Sequence, residues 1–140
     1  MGVAPVDINA GAKTSAYWSM ANYSHVSILV AIGNMDNAAT ITVTENTNSS
    51  AVGEATIGFD YYAIDGNGNT GARTTATDAG FSTGTTNNRM WVIEVDAEQL
   101  SDGKPWMAVK TTNPATSSII TIIPVLSGAR YAQAKPPAAF

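Results

Sequence analysis

The sequence predicts an all-β protein, an antiparallel β-sandwich or partly closed, jelly-roll-like barrel of about six to eight strands. Short stretches in which apolar and polar residues alternate recur along the chain, and turns rich in Gly, Asn and Ser separate them. No amphipathic pattern long enough for a typical helix interrupts them. Because strands follow strands without intervening helices, a parallel α/β fold is excluded.

The first two strands are predicted from strict alternation. The first covers His25–Ile32 and ends in a Gly/Asn turn. The second covers Ala39–Glu45, with Ile41 and Val43 facing inward and threonines on the other face. We expect these two strands to be neighbours in one sheet.

The later strands follow the same pattern with turn residues between them. A Gly/Asn loop closes the third strand, and an Asn-Pro break separates the last two. The predicted strands are Ala55–Ile64, Arg73–Thr77, Met90–Asp96, Trp106–Thr111 and Ser118–Leu126, with one helical turn at Ala97–Leu100.

The chain is expected to form one domain with an arm at each end, since 140 residues is the size of a single core. Residues 1–22 show no sustained period and are predicted to be an extended N-terminal arm. Residues 23–126 form the sandwich. Residues 127–140 contain Pro136-Pro137, which fixes an extended course, and are predicted to be a C-terminal arm.

Composition excludes several classes of partner. The net charge is −4 and the seven Lys and Arg residues are scattered, so we expect no nucleic-acid partner. The longest apolar run, Ile119–Leu126, is too short to span a bilayer, so we expect no membrane partner. With no cysteine, neither a disulfide nor a thiolate metal site can form.

His25 is the only histidine and has no acidic residue beside it in the sequence. A catalytic triad needs a positioned nucleophile and an orienting acid, and no nucleophile motif is present. Zinc would need three or four converging ligands. We therefore interpret His25 as a structural or surface residue.

Carboxylates could in principle pair for glycoside hydrolysis. Glu94 alternates with apolar strand residues, which favours a solvated strand face leading into a turn. We predict that the protein is not an enzyme and uses no cofactor. The carboxylates considered are Glu45, Glu54, Asp60, Glu94, Asp96 and Glu98.

The run Asp65–Asn69 resembles the start of a calcium loop, which needs oxygen ligands at alternate positions. Thr70 stands where the invariant glycine belongs, and Ala76 stands where the bidentate glutamate belongs. A hairpin loop is the better interpretation.

Aromatic residues could form a platform for stacking sugars. Trp91 and Trp106 lie within strand patterns, which favours the core or a subunit interface. The aromatic residues considered are Tyr17, Trp18, Tyr61, Tyr62, Trp91 and Trp106.

Three stretches resemble a family of small virion proteins encoded among the head genes of tailed bacteriophages: Asn87–Leu100, Asp102–Val109 and Val125–Tyr131. The resemblance covers about residues 87–133, and its most specific block is W-V-I-E-V-D-A-E-x-L, followed by S-G-A-R-Y. Ser27–Gly33 and Ile41–Glu45 also look like that family's first hairpin.

The resemblance implies a capsid decoration or cement protein, which binds the outside of the shell built by the major capsid protein and stabilises it. The expected partners are the major capsid protein and copies of the chain itself, as a trimer or a dimer. Because aromatic residues concentrate interface energy, we expect interface contacts from the two arms. The candidate interface residues are Tyr17, Trp18, Arg130, Tyr131 and Phe140.

Two other functions fit the same pattern. A glycan-binding module would present Tyr61, Tyr62 or the loop Asp65–Asn69 to a host sugar. A tail or neck component of the virion would also need a compact sandwich with extended ends.

Overall fold

The computed structural model describes residues 2–130 and is all-β, with two antiparallel sheets packed as a sandwich. The predicted fold class is confirmed, and the sheets do not close into a barrel. The strands are β1 Val3–Asp7, β2 Lys13–Thr14, β3 Trp18–Ser19, β4 Tyr23–Met35, β5 Thr40–Asn46, β6 Ala55–Ile57, β7 Phe59–Ile64, β8 Thr74–Ala76, β9 Phe81–Ser82, β10 Arg89–Asp96, β11 Trp106–Thr111 and β12 Ser118–Ala129.

Each sheet contains six strands. Sheet 1 has the order β1-β12-β4-β10-β7-β8. Sheet 2 has the order β2-β11-β5-β6, with β3 also pairing with β11 and β9 with β5. The only helical segment among residues 2–130 is a 3₁₀ turn at Ala97–Gln99. None of the described helical structure is long and apolar enough to cross a membrane.

The predicted pairing of the first two strands is wrong. β4 lies in sheet 1 between β10 and β12, whereas β5 lies in sheet 2 between β11 and β6. The inward residues Val30 of β4 and Val43 of β5 are both fully buried. The two strands thus cover the same core from opposite sides, and alternation alone does not distinguish this arrangement from a hairpin.

The predicted third strand is two strands in different sheets. The strand is interrupted at Gly58, so that β6 belongs to sheet 2 and β7 belongs to sheet 1. A Cβ on Gly58 would lie 3.0 Å from the carbonyl oxygen of Ala76, so a side chain would crowd this corner. Ile57, Phe59 and Tyr61 all face inward, so the alternation continues across Gly58. The sequence pattern therefore does not reveal the interruption.

The predicted N-terminal arm lies on the protein's own sheets. β1 pairs with β12, as at Val6 and Ile120, and β3 pairs with β11, as at Trp18 and Met107. The segment is extended, but its backbone is held within the sandwich.

The predicted start of the C-terminal arm at residue 127 is wrong. Ser127 and Ala129 continue β12 and pair with His25 and Tyr23 of β4. Residues 131–140 lie outside the described part of the chain. The sandwich therefore includes strands on both sides of the predicted 23–126 range.

The core lies between the sheets and contains an aromatic cluster. Phe81 of sheet 2 stacks on Tyr61 of sheet 1, with ring centroids 4.3 Å apart. Phe81 also contacts Phe59 and Trp91 at centroid distances of 6.1 and 5.7 Å. These rings join the two sheets near one end of the sandwich.

Candidate functional site

The outer face of sheet 1 carries a row of apolar side chains. Strand pairing places Ile123 of β12 opposite Leu29 of β4, Leu29 opposite Val92 of β10, and Val92 opposite Tyr62 of β7. We call these four residues the apolar row. Val92 is only 4% exposed because its neighbours cover it from both sides. Residues that pair directly lie on the same face of a sheet, so the row crosses four strands.

Exposed hydrophobic residues concentrate beside this row. Four large apolar side chains are strongly exposed in the described chain, and three of them, Ile119, Ile123 and Val125, lie on β12. The fourth, Val52, lies in the loop between β5 and β6. A single exposed apolar residue is ordinary, whereas a contiguous patch marks a contact surface.

The outer face of sheet 2 is polar. Thr42 of β5 pairs with Lys110 of β11, and Lys110 forms an ion pair with Glu54. The hydroxyl of Tyr17 donates to the same Glu54 carboxylate at 3.5 Å. Trp106 pairs with Asn46 on the same face and is half-buried, so this face is polar apart from one ring. The strongly exposed aliphatic strand residues of the described chain lie on sheet 1.

An open groove lies beside β12. β1 pairs only with Ile119–Ile122, and no described strand pairs with the outer edge of the rest of β12. The groove has a volume of about 450 Å³, and Trp18, Pro124 and Leu126 contribute to its walls. Pro124 has no N–H to offer a neighbouring strand, and a proline on an edge discourages strand addition.

A polar cluster lies on the outer face of sheet 1 near one end of β10. His25 Nε2 is 2.7 Å from Glu94 Oε2, and His25 Nδ1 is 2.7 Å from Asp96 Oδ1. The hydroxyl of Ser27 donates to Glu94 Oε2 at 2.7 Å. We call these four residues the His25 cluster.

The cluster pairs one histidine with two carboxylates and contains no activated nucleophile. Burial lowers the pKa of His25, but the hydrogen bonds and charges of Asp96 and Glu94 outweigh it and raise the pKa above its ordinary value. The Ser27 hydroxyl donates its hydrogen bond to Glu94, while both ring nitrogens of His25 lie against carboxylates. No ring nitrogen is left to accept the serine proton, so the arrangement lacks the base that acyl transfer needs.

Two other carboxylates considered as catalytic groups, Glu45 and Asp60, are engaged in structural contacts. Glu45 is buried and accepts from the Ser101 N–H at 2.7 Å and from Lys104 at 3.0 Å. Burial raises the pKa of Glu45, but the bonds from Ser101 and Lys104 lower it by a larger amount, so its pKa lies below the ordinary value. Asp60 binds Thr75 and Arg73, which lower its pKa.

The loop Asp65–Asn69 is a hairpin loop closed by its own side chains. Asp65 Oδ1 accepts from the backbone N–H groups of Asn67 and Asn69 at 2.9 and 2.8 Å, and Oδ2 accepts from the Asn69 amide. These bonds lower the pKa of Asp65 and occupy the oxygens that would bind calcium. Within residues 2–130, no group of three or more His, Asp or Glu is placed to hold a metal ion.

The structure places three of the expected interface residues. Trp18 is 6% exposed in the core and lines the groove beside β12. Tyr17 is half-buried against sheet 2, and Arg130 is exposed, with its N–H donating to the Asn22 carbonyl at 2.9 Å. Tyr131 and Phe140 lie outside the described residues. Of the three placed residues, Trp18 shares its groove with Ile123 of the apolar row.

The aromatic residues considered for sugar stacking are divided between core and surface. Trp91 is 3% exposed in the core, and Tyr61 belongs to the same aromatic cluster. Tyr62 lies on the outer face as the last member of the apolar row.

No family model, curated protein or solved structure matches this chain.

Sequence reasoning missed both the apolar row and the His25 cluster. His25 and Ser27 lie two residues apart on β4, and Glu94 and Asp96 lie two apart on β10, so antiparallel pairing brings all four together. That spacing was visible, but the partner strand was unknown. A further signal was the run Ser118–Leu126, which is apolar on both faces of its strand.

Proposed function

We propose that this protein is a bacteriophage capsid decoration protein that binds the outer surface of the major capsid protein shell through the outer face of sheet 1. The observation that carries the proposal is the apolar row together with the exposed Ile119 and Val125 of β12. A two-sheet sandwich needs apolar residues only between its sheets. An apolar outer face is explained by a second protein that covers it.

The contrast between the two outer faces supports one-sided binding. Burying apolar area on sheet 1 stabilises a complex by roughly 25 cal/mol per Å². The polar face around Lys110 and Glu54 suits contact with solvent. A protein that coats a shell needs this asymmetry, because one side meets the lattice and the other meets water.

The sequence resemblance supports the same surface. Its most specific block, within residues 87–133, includes β10, which contributes Val92 to the apolar row and Glu94 to the His25 cluster. Its last stretch includes Val125. Binding by such a face needs no turnover and no cofactor, and repeated copies on a lattice fit the expected trimer or dimer.

The test is co-sedimentation of the purified protein with cognate expanded capsids that lack it, counting bound copies per shell. We expect saturable binding at a copy number that follows the capsid lattice. The double variant Ile123→Ser/Val125→Thr should bind about thirtyfold more weakly, because each half-exposed side chain contributes on the order of 1 kcal/mol when covered.

Val52→Ser is the matched control. Val52 is 54% exposed but lies in the β5–β6 loop, away from the apolar row. It should bind like the wild type, and circular dichroism should show that both variants fold.

Binding that is absent, or limited to a dozen copies or fewer, would contradict decoration and point to a tail or neck position. Glycan-array binding that Tyr62→Ala abolishes would instead support a sugar-binding module.

A further inference from the structure

The two ring nitrogens of His25 face two different carboxylates. Nε2 is 2.7 Å from Glu94 and Nδ1 is 2.7 Å from Asp96. A carboxylate only accepts hydrogen bonds, and a neutral imidazole has one N–H. With both carboxyl groups ionised, only the doubly protonated imidazolium donates to both at once, so this geometry favours a charged His25.

We propose that His25 is a pH-sensitive clamp that holds β4 to β10 and fixes the start of the 3₁₀ turn while it is charged, and releases Asp96 when it loses its proton. In the neutral form one ring nitrogen carries a lone pair, which would face a carboxylate oxygen at 2.7 Å and repel it. Asp96 is the partner that moves, because its side chain is 65% exposed against 15% for Glu94. Glu94 also keeps its bond from Ser27.

The groups that the neighbouring strands place around the cluster leave His25 as the cation that pairs with Glu94 and Asp96. β12 places uncharged Ser127 opposite His25. β7 places Asp60 opposite Glu94, but Asp60 binds Arg73. Glu98 and Arg130 share a shallow pocket with Asp96 on the solvent side. Hydrogen bonds to the two acceptors raise the pKa of His25 despite its partial burial.

The clamp is connected to the segment that crosses between the sheets. The N–H of Asp96 donates to Gln99 Oε1 at 2.7 Å at the start of the 3₁₀ turn. The turn closes through Leu100, whose N–H reaches the carbonyl of Ala97, and the next N–H, that of Ser101, donates to buried Glu45. Release of the Asp96 side chain therefore frees the residue at which the first turn after β10 begins, while Glu45 holds the far end.

A nuclear magnetic resonance titration of the intact chain tests this directly, since His25 is the only histidine. We expect its ring carbon and proton signals to titrate with one midpoint above the ordinary value of about 6.5. The backbone amide signals of residues 96–100 should shift with the same midpoint. A His25 midpoint at or below 6.5 would overturn the clamp. Amide signals of residues 96–100 that do not change as His25 titrates would overturn it too. Neither outcome depends on capsid binding.

Two variants distinguish a clamp that acts through Glu94 and Asp96 from a histidine whose pKa is raised for another reason. Glu94→Gln and Asp96→Asn each remove one negative acceptor, so each should lower the His25 midpoint, and Asp96→Asn should also abolish the linked shift of residues 97–100. Asp60→Asn is the control, because Asp60 is the register partner of Glu94 but does not contact His25. Equal midpoints in all four proteins would refute the proposal.

Discussion

At the scale of single residues, carboxylates hold separate segments of this protein together by accepting backbone hydrogen bonds. Asp7 at the end of β1 accepts from the Ser118 N–H at 2.9 Å, at the start of β12, and from the Ser117 hydroxyl at 2.9 Å. These bonds lower the pKa of Asp7. Glu45 does the same for the segment that follows the 3₁₀ turn. A carboxylate thus fixes the chain at both of these connections between strands.

Stability should depend on pH through His25. Its pKa is higher in the folded protein than in the unfolded chain, so its contribution is complete below about 6.5 and is lost as pH rises through the folded pKa. Because the partners are partly exposed, we expect a contribution of about 1 kcal/mol or less. Urea unfolding of the wild type and His25→Gln from pH 5 to 9 measures it. The difference should shrink towards high pH, and a difference that grows there would contradict the sign.

At the scale of elements, the sequence predicted the long strands well and the short ones poorly. β11 has the predicted bounds, and β10 begins one residue early at Arg89. β2, β3 and β9 contain two residues each, too few for alternation to be seen. They form because a longer neighbour offers free backbone groups, as β11 does for Trp18. Such strands depend on tertiary contacts that no local pattern contains.

The corner between β8 and β9 depends on a glycine. Gly80 has φ +76°, and a Cβ there would lie 2.0 Å from the carbonyl oxygen of Ile41 in β5. Gly84 has φ +65° but no atom within 4 Å of a Cβ. Both Gly→Ala changes incur about 1–2 kcal/mol of backbone strain. Gly80→Ala should lose a further 1–3 kcal/mol or so from overpacking.

Thermal unfolding gives the melting temperatures of the two variants, whose substituted residues have similar positive φ angles. Gly80→Ala should melt well below Gly84→Ala. Equal melting temperatures would show that β5 shifts freely to accept the methyl group.

At the scale of the whole molecule, the two sheets share one core but have unlike outer faces. The shared core was predictable, because inward residues such as Ile41 and Val43 follow from alternation. The unlike outer faces were not, because Ile123, Leu29 and Val92 become neighbours only once the strand order is known. The interface residues expected from the sequence lie near the two chain ends, whereas the apolar row crosses the middle strands of sheet 1.

The sandwich depends on the rings that join its sheets. Phe81 comes from a two-residue strand of sheet 2 and packs on Phe59, Tyr61 and Trp91 of sheet 1. Phe81→Ala should lower the free energy of unfolding by about 3–5 kcal/mol, since it leaves a cavity between the sheets. Phe81→Leu, which refills most of that volume, should lose clearly less. Chemical denaturation measures both, and equal losses would mean that ring stacking, not volume, dominates.

The strand order also determines when sheet 1 can form while the chain is being synthesised. β4 is the central strand of sheet 1, and Val30 pairs with Trp91 and with Ile122, both far along the chain. Contacts this distant form slowly, because a long loop must close before they stabilise anything. While the ribosome makes the first half of the protein, the apolar face of β4 has no neighbour in its sheet. The nascent chain therefore stays open to chaperones and to other unfinished chains until β12 emerges.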